Sequence, residues 1–403
     1  MSRSANESAT RSLLRSGDTC GARTAVIPRP GEPWLFSVEP DTAQITWRAD
    51  RTRGIEPGVQ LIDGLRAGSV QHVEIGALGT TVRVETPPQL DGPELCRVAT
   101  INDLHIGATS FGFFGTMKEP AARVPHAVRC VESAIRDALA WGARLLVVKG
   151  DLTHKGRESE WRTIGELLAS QPVPVAVVPG NHDVKPYRHL DPQPALAAHG
   201  LHLVHGMEVI DLPGVRVVLA DTTVPDFDRG HIAHVAADIV RVAARAAGGV
   251  LVALHHHPQR YRFPTFLPTG IPGPEAAAFL SDLAAANPST LVTTGHTHRH
   301  RRHERFGLTV CEVGSTKDYP GTWTGYVVHA SGIRQVVRRV SDPTCLPWLD
   351  YTGRAALGLW RRWSPGRLDD RCFAVRWPAS TGDRRARAAR GRRQPGRSAP
   401  STT

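Results

Sequence analysis

Five separate apolar runs in this chain each end on a cluster of Asp, His or Asn, and that repeated junction narrows the folds open to it. Arg97 to Ile101 leads into Asp103-Leu104-His105, and Ala143 to Val148 into Gly150-Asp151. Val173 to Val178 leads into Gly180-Asn181-His182-Asp183, Val250 to Leu254 into His255-His256-His257-Pro258, and Thr290 to Thr294 into Gly295-His296-Thr297-His298. Short continuous apolar runs bounded by turn residues read as strands buried on both faces. In open α/β sheets, ligands gather outside the carboxyl ends of the strands. Five strand ends with the same donor types therefore describe one edge of a layered sheet.

The rest of the chain supports that reading. Helical stretches are expected over residues 124–141, 158–170, 231–247 and 274–286, with further strands at 215–220, 310–313 and 326–329. Strand, loop and helix in alternation give an α/β or α+β layered core. Ahead of it, Ala43 to Trp47, Val70 to Ile75 and Thr80 to Val84 alternate with period two between turn residues, as a small all-β unit does. The Pro-rich stretch from Thr86 to Pro93 reads as a linker. The expected organisation is a flexible leader over 1–30, a small β domain over 31–95 and a catalytic core over 96–342. A helical or irregular extension follows over 343–382, with Leu346 to Trp363 as one amphipathic helix, and a basic disordered tail over 383–403.

Composition excludes several classes. With 403 residues, 41% hydrophobic and 22% charged, the chain can bury a core without a metal to hold it together. It has no run near the roughly 18 apolar residues of a membrane span and no secretory apolar segment at its start, so a cytoplasmic location is expected. The net charge is +11, but the seven arginines and one aspartate between Asp383 and Thr403 supply +6 of it. A solvated tail accounts for such a run without a nucleic-acid partner. The six cysteines lie far apart and read as buried or unpaired reduced thiols.

The donor types suit a particular chemistry. Asp oxygens mixed with His nitrogens favour Mn, Fe or Zn over the oxygen-only shells of Mg or Ca. Seven or eight candidate ligands are too many for one ion and suit two. One carboxylate, Asp151, could bridge two ions about 3.5–4 Å apart, a spacing that activates a shared water and clamps an in-line displacement.

The order Asp-x-His, Gly-Asp, Gly-Asn-His-Asp, His, Gly-His-x-His resembles the calcineurin-like metallophosphoesterases over roughly residues 96 to 340. The resemblance implies a four-layer β-sandwich flanked by helices, and hydrolysis of a phosphate ester by a hydroxide bridging two metals. It implies Asp103, His105, Asp151 and His298 on one ion, and Asp151, Asn181, His255 and His296 on the other. His182 matches the catalytic histidine, and Asp183 would orient its imidazole. His256 rivals His255 as the ligand from the histidine run. Isolated histidines such as His126, His189 and His231 read as core or surface residues.

Within the family, purple acid phosphatases carry a tyrosine three residues after the bridging aspartate, where this chain has His154, and Gly where it has His105. Gly-Asp-Leu-Thr-His-Lys-Gly and His-His-His-Pro look more like the bacterial class III cyclic-nucleotide phosphodiesterases. That likeness implies phosphodiester substrates such as cyclic AMP, typically with Mn or Fe. The partner expected is a small phosphate ester. A DNA nuclease of the same fold is the alternative, and a non-catalytic scaffold ranks third because no ligand is missing.

Overall fold

The computed structural model describes residues 27–112, 115–185, 190–261 and 268–378. The basic tail and the first 26 residues of the expected leader lie outside them.

Strands β1 (Trp34–Val38), β2 (Ala43–Trp47) and β3 (Gly58–Ile62) form a small antiparallel sheet, followed by the hairpin β4 (Val70–Ile75) and β5 (Thr80–Glu85). Strand β6 (Glu94–Ile101) enters the core, and a two-residue hairpin, β7 (Ser110–Phe111) and β8 (Met117–Lys118), precedes α1 (His126–Ala140). Then come β9 (Leu145–Lys149), α2 (Glu158–Ala169), β10 (Val175–Val178), α3 (Pro192–Ala197), β11 (Met207–Leu212) and β12 (Val215–Ala220). Helices α4 (Ala233–Ala244) and α5 (Gly273–Ala286) flank β13 (Gly249–Leu254), and β14 (Thr290–Thr294), β15 (Arg301–Arg305) and β16 (Leu308–Glu312) follow. The chain closes with β17 (Thr322–His329), β18 (Gly332–Arg339), α6 (Leu346–Thr352), α7 (Leu359–Trp363), α8 (Leu368–Arg371) and β19 (Phe373–Arg376).

Two six-stranded sheets, ordered β10-β9-β6-β17-β18-β19 and β11-β12-β13-β14-β16-β15, stack face to face. Alternate residues of each strand serve two different cores. Leu146 and Val148 of β9 pack toward α1 and α2, while Leu145 and Val147 face the other sheet. On β13, Val250, Val252 and Leu254 pack toward α4 and α5, while Leu251 and Ala253 face the first sheet. Three apolar cores between four layers follow, which is the expected four-layer sandwich. It also explains the unbroken apolar runs, because no face of these strands meets water. Helix α1 buries Ala127, Cys130, Val131, Ala134 and Ala138 at three- and four-residue spacing, the stripe an amphipathic helix offers a sheet. Among the described residues no helix is long and apolar enough to cross a membrane.

The N-terminal strands dock on the core through polar contacts. The Gln44 amide exchanges hydrogen bonds with the Arg339 backbone, at 2.9 and 2.8 Å. Glu39 pairs with Arg338 and accepts from the Trp141 indole at 3.2 Å.

The single helix expected over Leu346 to Trp363 is corrected by the structure. Helix α6 ends at Gly353, and the chain then turns through Ala356 (φ 50°) and Leu357 (φ 58°) before Gly358 restarts it as α7. Gly358 (φ 84°) takes the last of three successive left-handed positions without a Cβ to oppose it. Beyond them the chain regains order: β19 pairs antiparallel with β18 as an edge strand of the first sheet.

Candidate active site

The parallel strands β6, β9, β10, β13 and β14 bring their carboxyl ends to one edge of the sandwich. The backbone there is unusual. Asp103 (φ 53°), His105 (φ 43°), Asp151 (φ 52°), His296 (φ 69°) and His298 (φ 52°) all occupy the left-handed region. Each such residue costs on the order of 1–3 kcal/mol and persists only where its surroundings enforce it. Cross-strand bonds do so here: the Asp103 amide donates to the Gly150 carbonyl at 3.0 Å, and the His105 amide to the Asp151 carbonyl at 2.8 Å. Five of the seven candidate ligands are held in this strained conformation.

Asp151 stands at the centre. Its Oδ2 lies 3.5 Å from His105 Nε2, and its Oδ1 lies 3.4 Å from His255 Nε2. The two oxygens thus face two different groups of donors. On one side, His105 Nε2 and His298 Nε2 are 3.2 Å apart, with Asp103 Oδ1 3.4 Å from His298 Nε2. On the other, Asn181 Oδ1 is 3.2 Å from His255 Nε2, and His255, His256 and His296 converge within 4.8 Å.

The far nitrogens of three inward-facing imidazoles are anchored on oxygen. His255 Nδ1 donates to the Lys149 carbonyl at 2.8 Å, His296 Nε2 to the Thr269 carbonyl at 3.2 Å, and His298 Nδ1 to Asp318 at 2.8 Å. That leaves the near nitrogens of His255 and His296 as lone pairs, the tautomers a cation requires, whereas His298 between two carboxylates holds a proton there that a cation would displace. Asn181 is oriented likewise, its Nδ2 donating to Asp228 at 3.0 Å. His256 Nε2 is buried with no hydrogen-bond partner among the described residues, a costly state unless something electrophilic meets it. His255 and His256 are therefore both brought to the centre, His255 against Asn181 and Asp151, and His256 against His296.

The charges fit a cation as well. Burial and neighbouring cationic groups push His105 well below its ordinary range. Burial also disfavours a charged His298, but the Asp103 and Asp318 carboxylates override it and raise the ring to about 10. Burial, then the Asp151 charge, raise Asp183 to about 6. Burial alone pushes the Lys149 amine down to about 7, where it donates to Thr293 Oγ1 at 2.9 Å between the sheets.

One expectation is corrected. Asp183 does not orient the His182 imidazole: its carboxylate accepts from the amides of Leu152 (3.2 Å), Thr153 (3.0 Å) and Gly180 (2.9 Å), and from the Thr153 hydroxyl. It ties the β9 loop to the β10 loop. His182 instead donates from Nδ1 to the His154 carbonyl at 3.2 Å and stacks on the His154 ring, while its amide donates to Asp151 Oδ1 at 2.8 Å. Asp318 and Asp228 escaped the sequence reading as ligand supports. No local spacing links either to its partner. Asp318→Ala is expected to weaken binding of an ion at His298 by roughly 10–100-fold, read by metal titration. Unchanged affinity would remove Asp318 from the centre.

Close approach also explains a glycine. A Cβ on Gly180 would lie 2.2 Å from the Asp151 amide nitrogen and 2.3 Å from its Oδ1. Gly180→Ala is expected to shift Asp151 and lower turnover on the order of 10²-fold, the cost of a misplacement of about 1 Å. Turnover at the normal rate would mean that the Asp151 position is not critical.

Residues 96–300 match the model of the calcineurin-like phosphoesterases. The chain belongs to that family, whose members hydrolyse phosphoric esters with divalent metal ions. It is 29% identical over 175 residues to the 3',5'-cyclic adenosine monophosphate phosphodiesterase CpdA of Pseudomonas aeruginosa, covering 43% of this chain and 60% of that one. It is 26% identical over 242 residues to a probable cyclic nucleotide phosphodiesterase of Psychrobacter arcticus, covering 54% and 79%. Among solved structures, a dimetal phosphatase from Danio rerio aligns with TM-score 0.49 and 12% identity, over 71% of this chain and all of that one. The purple acid phosphatase PPD1 of yellow lupin aligns with TM-score 0.43 and 14% identity, over 75% and 57%.

Proposed function

We propose that this chain hydrolyses small phosphodiesters, cyclic nucleotides first among them, at a centre of two divalent ions. The observation that supports it most is the convergence of seven Asp, Asn and His donors, five in left-handed backbone conformations, around a carboxylate that faces both ways. One ion would be held by Asp103, His105, Asp151 and His298, and the other by Asp151, Asn181, His255 and His296. His256 stands ready as a further donor to the second. When bound, such ions acidify a water and neutralise charge on the phosphoryl oxygens.

The protein supplies the remainder. Asp151 sets the separation of the two groups of donors, and Asp318 and Asp228 hold His298 and Asn181 in orientation. His182, with its Nδ1 proton committed to the His154 carbonyl, meets the leaving oxygen and delivers a proton to it. The cyclic-nucleotide substrate rests on the two phosphodiesterase relatives and on the Gly-Asp-Leu-Thr-His and His-His-His-Pro blocks.

The test is turnover by metal-stripped protein reconstituted with manganese, on bis-p-nitrophenyl phosphate, p-nitrophenyl phosphate, 2',3'- and 3',5'-cyclic nucleotides and single-stranded DNA. Manganese-dependent cleavage of cyclic nucleotides is the expected result. Cleavage of monoesters alone, or of DNA in preference to cyclic nucleotides, would overturn the substrate assignment.

A further inference from the structure

A second buried cluster of soft donors lies apart from the site above. His126 and Cys130 stand four residues apart on one face of α1, and Cys345 caps α6. One donor atom from each lies within 4.8 Å of the others, and all three side chains are buried. His126 Nε2 is 3.2 Å from Cys130 Sγ and 2.9 Å from the Lys317 carbonyl oxygen. A tetrahedral zinc ion, with nitrogen at about 2.0–2.1 Å and sulfur at about 2.3 Å, sets a nitrogen–sulfur edge of roughly 3.5 Å. The observed spacing needs an adjustment of only a few tenths of an ångström to meet it.

We propose that His126, Cys130, Cys345 and the Lys317 carbonyl form a closed structural site for one zinc ion. On binding, each thiol releases its proton to solvent, and His126 coordinates as a neutral ring with its proton on Nδ1. Two thiolates balance the ion's two positive charges, so the loaded site is neutral, as a buried site should be. Thiolate and imidazole donors in a four-coordinate arrangement select zinc over the harder ions. Burial already keeps His126 uncharged, lowering it to about 4.

The position suggests what such an ion would do. It would clamp the start of α1 to the start of α6 and to the loop at Lys317. The next residue, Asp318, is the one whose carboxylate holds His298 at 2.8 Å. A closed site here would thus fix the loop that orients a candidate ligand of the catalytic centre. The spacing explains why the sequence hid it: two donors four residues apart on a helix and a third more than two hundred residues later match no short motif.

The experiment uses the full chain, stripped of metal, kept reduced and reloaded with cobalt(II). The phosphoesterase centre offers no sulfur, so thiolate-to-cobalt absorption in the near ultraviolet that depends on Cys130 and Cys345 reports this site. The expected result is that band in the unaltered protein and in Asp151→Asn. Cys130→Ser and Cys345→Ser should each lose the band, together with roughly one bound ion per chain. Absence of the band with cobalt in excess would overturn the proposal, as would a band that survives both serine variants. So would finding Cys130 and Cys345 joined as a disulfide in protein that, once reduced, still takes up no ion there. Should the serine variants fail to fold, the band of the unaltered chain decides alone.

Discussion

Asp151→Asn is expected to lower turnover by at least roughly 10²–10³-fold, the loss that follows removal of one preorganised polar contact from a dry active site. The amide keeps the shape of the carboxylate but loses the charge shared between His105 and His255. The stability of the metal-free protein should move the other way. Burial and the Asp151 charge raise Asp183 to about 6 from an ordinary 3.8. Between those values the folded protein keeps a proton that the unfolded chain has released. Stability therefore falls as pH rises through that window, and the loss is complete above about 6. Asp151→Asn removes the charge-repulsion part of that loss, so the metal-free variant should unfold at higher temperature than the parent at pH 7 and converge with it near pH 4. Full turnover with both ions bound would show that Asp151 does not bridge. A melting temperature lowered equally at both pH values would show that Asp151 is structural.

Arg339→Met should destabilise the fold by about 3–5 kcal/mol, as breaking one side of a buried ion pair does. The guanidinium is fully buried on β18. It donates to the Pro320 carbonyl (2.8 Å), the Thr46 hydroxyl (2.8 Å) and Asp350 (3.1 Å). It thereby joins the N-terminal sheet, helix α6 and the loop after Asp318. Its loss strands Asp350, whose pKa burial already raises. Denaturant unfolding should show a lower midpoint with an unchanged slope. The double variant Arg339→Met with Asp350→Leu should recover part of the loss, because the orphaned charge is gone. If the double variant proved as unstable as the sum of the two single ones, the ion pair would not be the source.

The candidate site was legible in the sequence because its logic is local. Each candidate ligand follows an apolar strand by one to four residues, and a strand buried on both faces cannot hide its apolar run. What lay beyond reach depends on contacts between distant segments. Strand β18 reads Gly-Ile-Arg-Gln-Val-Val-Arg-Arg, too charged to look like a core strand, yet it is buried throughout. Its arginines find partners outside the strand, some of them far away in sequence, as Arg338 does in Glu39. Asp183 looked like the natural orienter of its neighbour, but adjacent residues in a tight turn project apart. Three of the four groups that donate to its carboxylate lie in the β9 loop, some thirty residues earlier, and the fourth is the Gly180 amide. The left-handed backbone at Asp103, His105, Asp151, His296 and His298 had no decisive sequence signal, since Asp and His are enriched in that region but mostly found outside it.

The order of strands in the first sheet sets a timetable for synthesis. Strands β10, β9 and β6 leave the ribosome early, but the open edge of β6 is covered by β17, which begins at Thr322. At about 5–20 residues per second, a gap of some 220 residues leaves that edge waiting roughly 10–45 s. The nascent chain carries an uncovered, strongly apolar strand edge for that interval, the kind of surface that pairs with other chains. Yield of native protein from a cell should therefore respond to translation speed between codons 102 and 322, and to chaperone supply, more than to the stability of the finished fold.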